Sequence, residues 1–190
     1  NYPQRVPVMA NTFLPLEELV IKVSQLFAAH RLHFSLAGGW AVSLWGAVRA
    51  TEDLDFIVVM DNGDRSRIES ILSCEFTVTS RKNMMLNTTA TPLWRHVLTS
   101  DRINDHFVLD IIPATSDFLK NAVNRCIQLP FHDATVPVIA IEDLILLKIL
   151  SARNKDIEDA RSLISGGMII DKEYVRNTAT TMGIDIASFM

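Results

Sequence analysis

The chain has 190 residues, 48% of them apolar and 21% charged, with 7 glycines and 7 prolines; this excludes a disordered, low-complexity or repeat protein and supplies the core of one large domain. A formal net charge of -4, from 18 basic and 22 acidic residues, excludes a surface uniformly shaped for polyanions. Cys74 and Cys126 lack metal-ligand spacing and read as buried free thiols of a reducing cytoplasm, and no apolar run approaches the roughly 20 residues of a membrane span.

The opening NYPQRVPVMANTF lacks the apolar segment of a signal peptide and begins without Met, as a piece of a longer chain would. From Leu14, apolar residues at Leu16, Leu19, Val20, Val23 and Phe27 predict a first helix, with Glu17 and Glu18 early, where the helix dipole favours acids. HFSLA (33–37) predicts a strand ending at Gly38-Gly39, and WAVSLWG predicts a short helix from Trp40 to Gly46. An Arg-x-Thr, Arg49 and Thr51, precedes the clearest strand, DLDFIVVM (53–60), which the turn residues Asp61-Asn62-Gly63 close.

RSRIESIL then reads as helix, and 75–80 and 94–99 read as weaker strands around an irregular stretch. HFVLDII (106–112) is a strong strand stopped by Pro113, followed by a helix over 115–125 and two extended segments, CIQLPF and ATVPVIA. From Ala140 the pattern turns helical through AIEDLILLKILSARNKDIEDARSLI to Gly166-Gly167, with a last helix near 171–182. The expectation is an α/β (α+β) protein, a mixed β-sheet flanked by helices over residues 1–140, with a helical C-terminal extension over 141–190 packed on it as one unit. Nucleic-acid contact would need a local patch such as Arg81 with Lys82 or Arg95 with His96, and both pairs read first as ordinary solvated surface.

Side chains alternate along a strand, so Asp53 and Asp55 project to one side while Leu54 and Phe56 project to the other. Two adjacent carboxylates repel unless a cation or a shared proton relieves them, and an all-oxygen anionic pair suits Mg2+ together with substrate phosphates. Read alone, such a pair is more often a solvated strand entrance. Gly38 and Gly39 would let backbone approach a phosphate at the start of a helix, or form an ordinary tight turn. Asp110, an acid within an apolar strand, needs a partner: it could be a third carboxylate of a two-metal site, a base for an attacking hydroxyl, or the mate of an arginine.

Lys148 sits in LILLKIL, apolar nearly all round, so its ammonium requires an anion, either a triphosphate or an internal carboxylate. In a continuous helix, Ala152, Asp156 and Asp159 would follow it along one stripe.

Gly-Gly followed by D-x-D on a strand, with a later strand carrying an Asp, resembles the nucleotidyltransferase superfamily related to DNA polymerase beta. GGWAVSLWG…RATEDLDFIV together with EDLILLKILSARNKDIEDARSLI resembles its AbiEii-type toxin branch and that branch's uncharacterised bacterial relatives, over roughly residues 16–165. The resemblance implies Gly38 and Gly39 on nucleotide phosphates, Asp53, Asp55 and Asp110 as metal-binding catalytic acids, Lys148 on the triphosphate, and Asp159, ahead of Asp156, as the downstream acid. It further implies an NTP substrate such as ATP, Mg2+ as cofactor, a hydroxyl acceptor such as a tRNA end, a cognate antitoxin and a cytoplasmic location. One departure stands out: the small hydroxyl residue that often follows the first glycine is Gly39 here.

GGWA with a D-x-D strand also resembles aminoglycoside and lincosamide adenylyltransferases, which makes a small-molecule acceptor the rival expectation. The missing hydroxyl at Gly39 keeps a third alternative, an inactive nucleotide- or partner-binding module. Lys148, Arg153, Lys155, Asp156 and Asp159 favour the toxin branch.

Overall fold

In the computed structural model, residues 15–60, 65–80, 84–85, 91–100 and 103–189 are described. The first helix, α1 (Pro15–Ala29), leads to β1 (His33–Leu36), α2 (Gly38–Leu44) and β2 (Asp53–Val59). α3 (Arg65–Leu72), β3 (Thr77–Ser80), β4 (Met84–Met85), β5 (Pro92–Ser100), β6 (Ile103–Pro113) and α4 (Asp117–Asn124) follow. The chain continues with β7 (Ile127–Phe131), β8 (Ala134–Val138), α5 (Ile141–Ser151), α6 (Asn154–Ser165) and α7 (Lys172–Met182). Leu14, the Asp61-Asn62-Gly63 turn and the Arg81-Lys82 pair lie outside the described residues.

The sheet is mixed, as the patterning predicts, with strand order β3-β5-β6-β2-β1-β8-β7 and β4 pairing with β5 off that path. β2 sits near its middle, antiparallel to β1 and parallel to β6. A parallel neighbour starts at the same end of the sheet, so the acids of β2 and β6 fall side by side rather than at opposite ends. On one face Phe27 of α1 packs edge to face on Phe34 and Phe56 at 5.4 and 5.6 Å between ring centroids. α4 lies against β1 and β2, capped by the Ser116 hydroxyl, which accepts from the backbone N–H of Leu119 at 3.2 Å.

Two elements differ from the sequence expectation. α2 takes in both glycines and begins at Gly38 rather than Trp40. The long C-terminal helix is interrupted: Ala152 adopts a left-handed φ of 55°, which ends α5 and lets α6 turn back on it. In an unbroken helix, Lys148 and Asp159 would stand about 16 Å apart at roughly 1.5 Å per residue. They are in contact at 2.8 Å, which only the break permits.

Leu144, Ile145 and Ile149 of α5 and Ala160 and Leu163 of α6 join the same buried cluster as Leu36 and Val138 of the sheet. α7 docks on α5 through Val175 and Ala179 around Leu146, and through Asp143, which is 0% exposed. The Tyr174 hydroxyl donates to Asp143 Oδ1 at 2.6 Å and Arg125 Nε donates to Oδ2 at 3.0 Å, with the guanidinium 3.7 Å above the Tyr174 ring. Both cysteines are free, but Cys74 is exposed just after α3 and Cys126 is half-buried, which corrects the expectation that both thiols are buried. Among the described residues no helix is long and apolar enough to cross a membrane.

Candidate active site

Register across three strands brings the site together. Asp55 of β2 is the cross-strand partner of Asp110 of β6, and Asp110 is in turn the partner of Arg95 of β5. Asp53 stands two residues before Asp55 on the same side of β2, where the sequence places it. These residues line a cleft of about 370 Å³ together with Gly38, Gly39, Arg49, Thr51, Lys148, Arg153, Lys155 and Met182. A second, larger hollow of about 590 Å³ between α1, β1 and the β7–β8 hairpin is lined by no Asp, Glu, Lys or Arg, so the charged chemistry belongs to the first.

Gly38 adopts a left-handed φ of 60°, and a Cβ built there would fall 1.9 Å from Asp55 Oδ2. The position therefore excludes a side chain twice, by conformation and by contact with the acid. A Cβ on Gly39 would meet Thr51 Cβ and Oγ1, each at 2.7 Å. The space that a hydroxyl residue would take at this position is thus filled by Thr51, whose Oγ1 donates to the backbone oxygen of Asp53 at 3.1 Å.

Lys148 is 7% exposed and finds the internal carboxylates that the sequence left as one of two options. Its Nζ donates to Asp156 Oδ1 at 2.9 Å and to Asp159 Oδ2 at 2.8 Å. Arg49 pairs with Asp159 at 3.2 Å, while Arg153 and Ser151 donate to Asp156. Three cations thus share two carboxylates, which leaves one positive charge at the cleft wall. Burial alone would raise the Asp156 carboxyl, but hydrogen bonds from Arg153, Ser151 and Lys148 outweigh it and hold the group down at about 2.

The three acids of the row are not equivalent. Asp110 is 3% exposed and accepts from Arg95 with both oxygens, from Nε at 2.8 Å and from Nη2 at 2.6 Å, and Nη2 also donates to Asp53 Oδ2 at 3.2 Å. The hydrogen bonds to Asp110 are the main cause that drives the Arg95 guanidinium further above its ordinary value. Among the described residues Asp55 has no such mate: burial first, then the charges of Asp110 and Asp53, push its carboxyl up to about 7 against the pull of Lys148 and Arg153. An uncompensated carboxylate beside two others, open to a cleft, fits a divalent cation held by Asp53 and Asp55. Among the described residues no three His, Cys, Asp or Glu side chains are arranged to hold a metal together, and Asp110, with both oxygens on Arg95, stands apart from the pair.

The sequence reading passed over Arg95 as solvated surface; it lies inside the site, and the adjacent His96 is 0% exposed. Strand alternation gave the available clue, since Arg95 and His96 on one strand cannot face the same side. The sequence pattern alone assigns Arg49 and Thr51 no role. They reach the site because the Ser43 hydroxyl, donating to the Arg49 carbonyl at 3.0 Å, holds their loop against α2.

A mixed sheet that presents paired strand acids beside a glycine pair at the start of a helix is the frame of a nucleotidyltransferase. The match to the family model described as the nucleotidyl transferase AbiEii toxin of type IV toxin–antitoxin systems runs over residues 24–178, and the chain belongs to that family. No curated protein matches the sequence significantly. Among solved structures, ANT(2")-Ia in complex with adenylyl-2"-tobramycin shares the fold at TM-score 0.61 and 16% identity, over 90% of this chain and 99% of that one. An antigenic nucleotidyltransferase-like protein from Paracoccidioides brasiliensis shares it at TM-score 0.56 and 16% identity, over 88% and 86%.

Proposed function

We propose that this nucleotidyltransferase moves a nucleoside monophosphate from an NTP such as ATP to a hydroxyl at an RNA end, with tRNA as the leading acceptor, and that it acts as the toxin of a toxin–antitoxin pair. The observation that carries the reading is the set of cations on the cleft wall: Arg49, Arg95, Lys148, Arg153 and Lys155 stand against Asp53, Asp55, Asp110, Asp156 and Asp159, and a divalent cation on Asp53 and Asp55 would turn that even balance positive. A lining of this kind favours polyanionic ligands over a polycationic drug.

Asp53 and Asp55 would hold Mg2+, which when bound screens the phosphates and aligns the reacting groups. Gly38 and Gly39 let the backbone reach the phosphates without a Cβ in the way. Lys148, held by Asp156 and Asp159, keeps a cation at the cleft wall to offset charge on departing pyrophosphate. The substrate hydroxyl attacks the α-phosphorus, the bond to the pyrophosphate oxygen breaks, and the proton passes to solvent. Asp110 takes a positioning part in place of the base that the sequence suggested, because Arg95 occupies both of its oxygens.

A drug-modifying reading has its own support in the fold shared with ANT(2")-Ia. The two separate in one experiment: the protein, Mg2+ and α-labelled NTPs are incubated with total tRNA or with an aminoglycoside and lincosamide panel. Label on tRNA is expected; label on a drug alone, or on neither, overturns the RNA reading. For the toxin role, induced expression should arrest growth, Asp55→Asn should not, and co-expression of a small neighbouring gene should relieve the arrest. Arrest that persists with Asp55→Asn would refute it.

A further inference from the structure

Asp110 is the most enclosed acid of the row, and its countercharge is built into the chain. Its side chain is 4% exposed, against 42% for Asp53. The Arg95 fork matches both carboxylate oxygens in the two-point geometry that gives guanidinium–carboxylate pairs their strength, and one nitrogen reaches on to Asp53. Asp55 and Asp110 are register partners on parallel neighbouring strands, whose spacing is about 4.8 Å. Catalytic cation pairs stand roughly 3.5–4 Å apart, so the row has room for a second cation where Asp110 now faces Arg95.

We infer that Arg95 is the resident cation of this site: it holds Asp110 out of metal binding, so that the nucleotide-free chain takes one divalent cation on Asp53 and Asp55, and loss of the guanidinium opens a second position between Asp55 and Asp110. The inference rests on Asp53 and Asp55 being cation ligands. It makes Arg95 a positioning residue that sets how many metals the site accepts, a role distinct from contact with substrate. The driving force for the second cation is the buried Asp110 charge, which cannot stay unpaired once Arg95 is removed.

The test is a Mn2+ titration of the full chain without nucleotide, read by electron paramagnetic resonance. Wild type should bind one Mn2+ per chain; Arg95→Gln should bind two, with the spectrum of a spin-coupled pair; Arg95→Gln with Asp110→Asn should return to one. Mn2+ should also raise the melting temperature of Arg95→Gln more than that of wild type. Arg95→Lys keeps a charge beside Asp110 but lacks the fork, so it should admit a second Mn2+ that wild type does not and, where both variants fold, at least tenfold more weakly than Arg95→Gln; the comparison with wild type keeps the idea testable should the glutamine variant fold poorly. A coupled pair in wild type, or one Mn2+ in both Arg95 variants, overturns the inference. Absence of binding by wild type, or binding unchanged by Asp55→Asn, instead overturns the reading of Asp53 and Asp55 as metal ligands.

Discussion

Gly38 and Asp55 are locked together: the backbone of the first turns left-handed so that the carboxylate of the second can occupy the space where a side chain would begin, 1.9 Å from the position of a Cβ. The glycine pair and the strand acids, which look like separate motifs in sequence, are one contact in space. Gly38→Ala must therefore move Asp55 or unwind the start of α2. Label transfer should fall by about 100-fold, the cost of displacing a reacting group by roughly an ångström. Loss of stability should be moderate, about 1–2 kcal/mol for an alanine at left-handed φ. Steady-state label transfer and thermal melting check the two together, and an Ala variant with full activity would break the link.

The raised Asp55 carboxyl, at about 7, gives cation binding a direction with pH. In the metal-free protein the folded-state value lies above the ordinary one, so the stabilisation is complete below about pH 4 and fades as pH rises through 7. A divalent cation must displace that proton. Binding should be about tenfold tighter at pH 8 than at pH 6, with a proton released below pH 7, as calorimetry in buffers of different ionisation heat would measure. In Asp55→Asn this dependence should vanish with the binding.

Asp156 works in the opposite sense, because hydrogen bonds hold it at about 2. It stabilises the fold above the ordinary carboxylate range, and that contribution is lost as pH falls from about 4 towards 2, by about 2 kcal/mol in all. Asp156→Asn should flatten denaturant-derived stability over that interval. Lys148→Met, which removes the shared ammonium, should cost about 3 kcal/mol at neutral pH and lower the melting temperature by roughly 10 °C.

Restoring a hydroxyl after the first glycine should harm this chain. Gly39→Ser puts a Cβ 2.7 Å from Thr51 Cβ, a collision that forces the loop carrying Arg49 outward. The melting temperature and activity should both drop, and Thr51→Gly in the same chain, which removes the colliding Cβ, should recover part of the melting temperature. A serine variant as stable as wild type would show that the loop yields without cost.

Local pattern carried most of the fold. The alternating run at 53–60 and the apolar run at 106–112 became β2 and β6, because a central strand is specified by its own residues. The parallel pairing that sets Asp55 beside Asp110 lies in no local pattern; it is the outcome of how the intervening α3 and β3–β5 return the chain to the sheet. Arg95 was missed for the same reason, since an arginine reads as surface until the acid across the strand is known. Lys148 was noticed from its apolar surroundings alone. Its carboxylates came from the expected residues but by a different route, since the left-handed Ala152 reverses the chain where periodicity suggested one rod.

The tie between Tyr174, Arg125 and the buried Asp143 has a consequence for reaction outcome. It secures α7, and Met182 at the end of that helix is part of the cleft lining. Every residue assigned to nucleotide or cation precedes α7, so a chain cut before Asp171 would retain the whole chemical set. It would lose the Met182 part of the cleft lining, and water would then compete with the acceptor for the activated phosphate. On the proposed reaction, loss of the terminal helix should therefore raise hydrolysis relative to transfer while leaving the reacting groups in place.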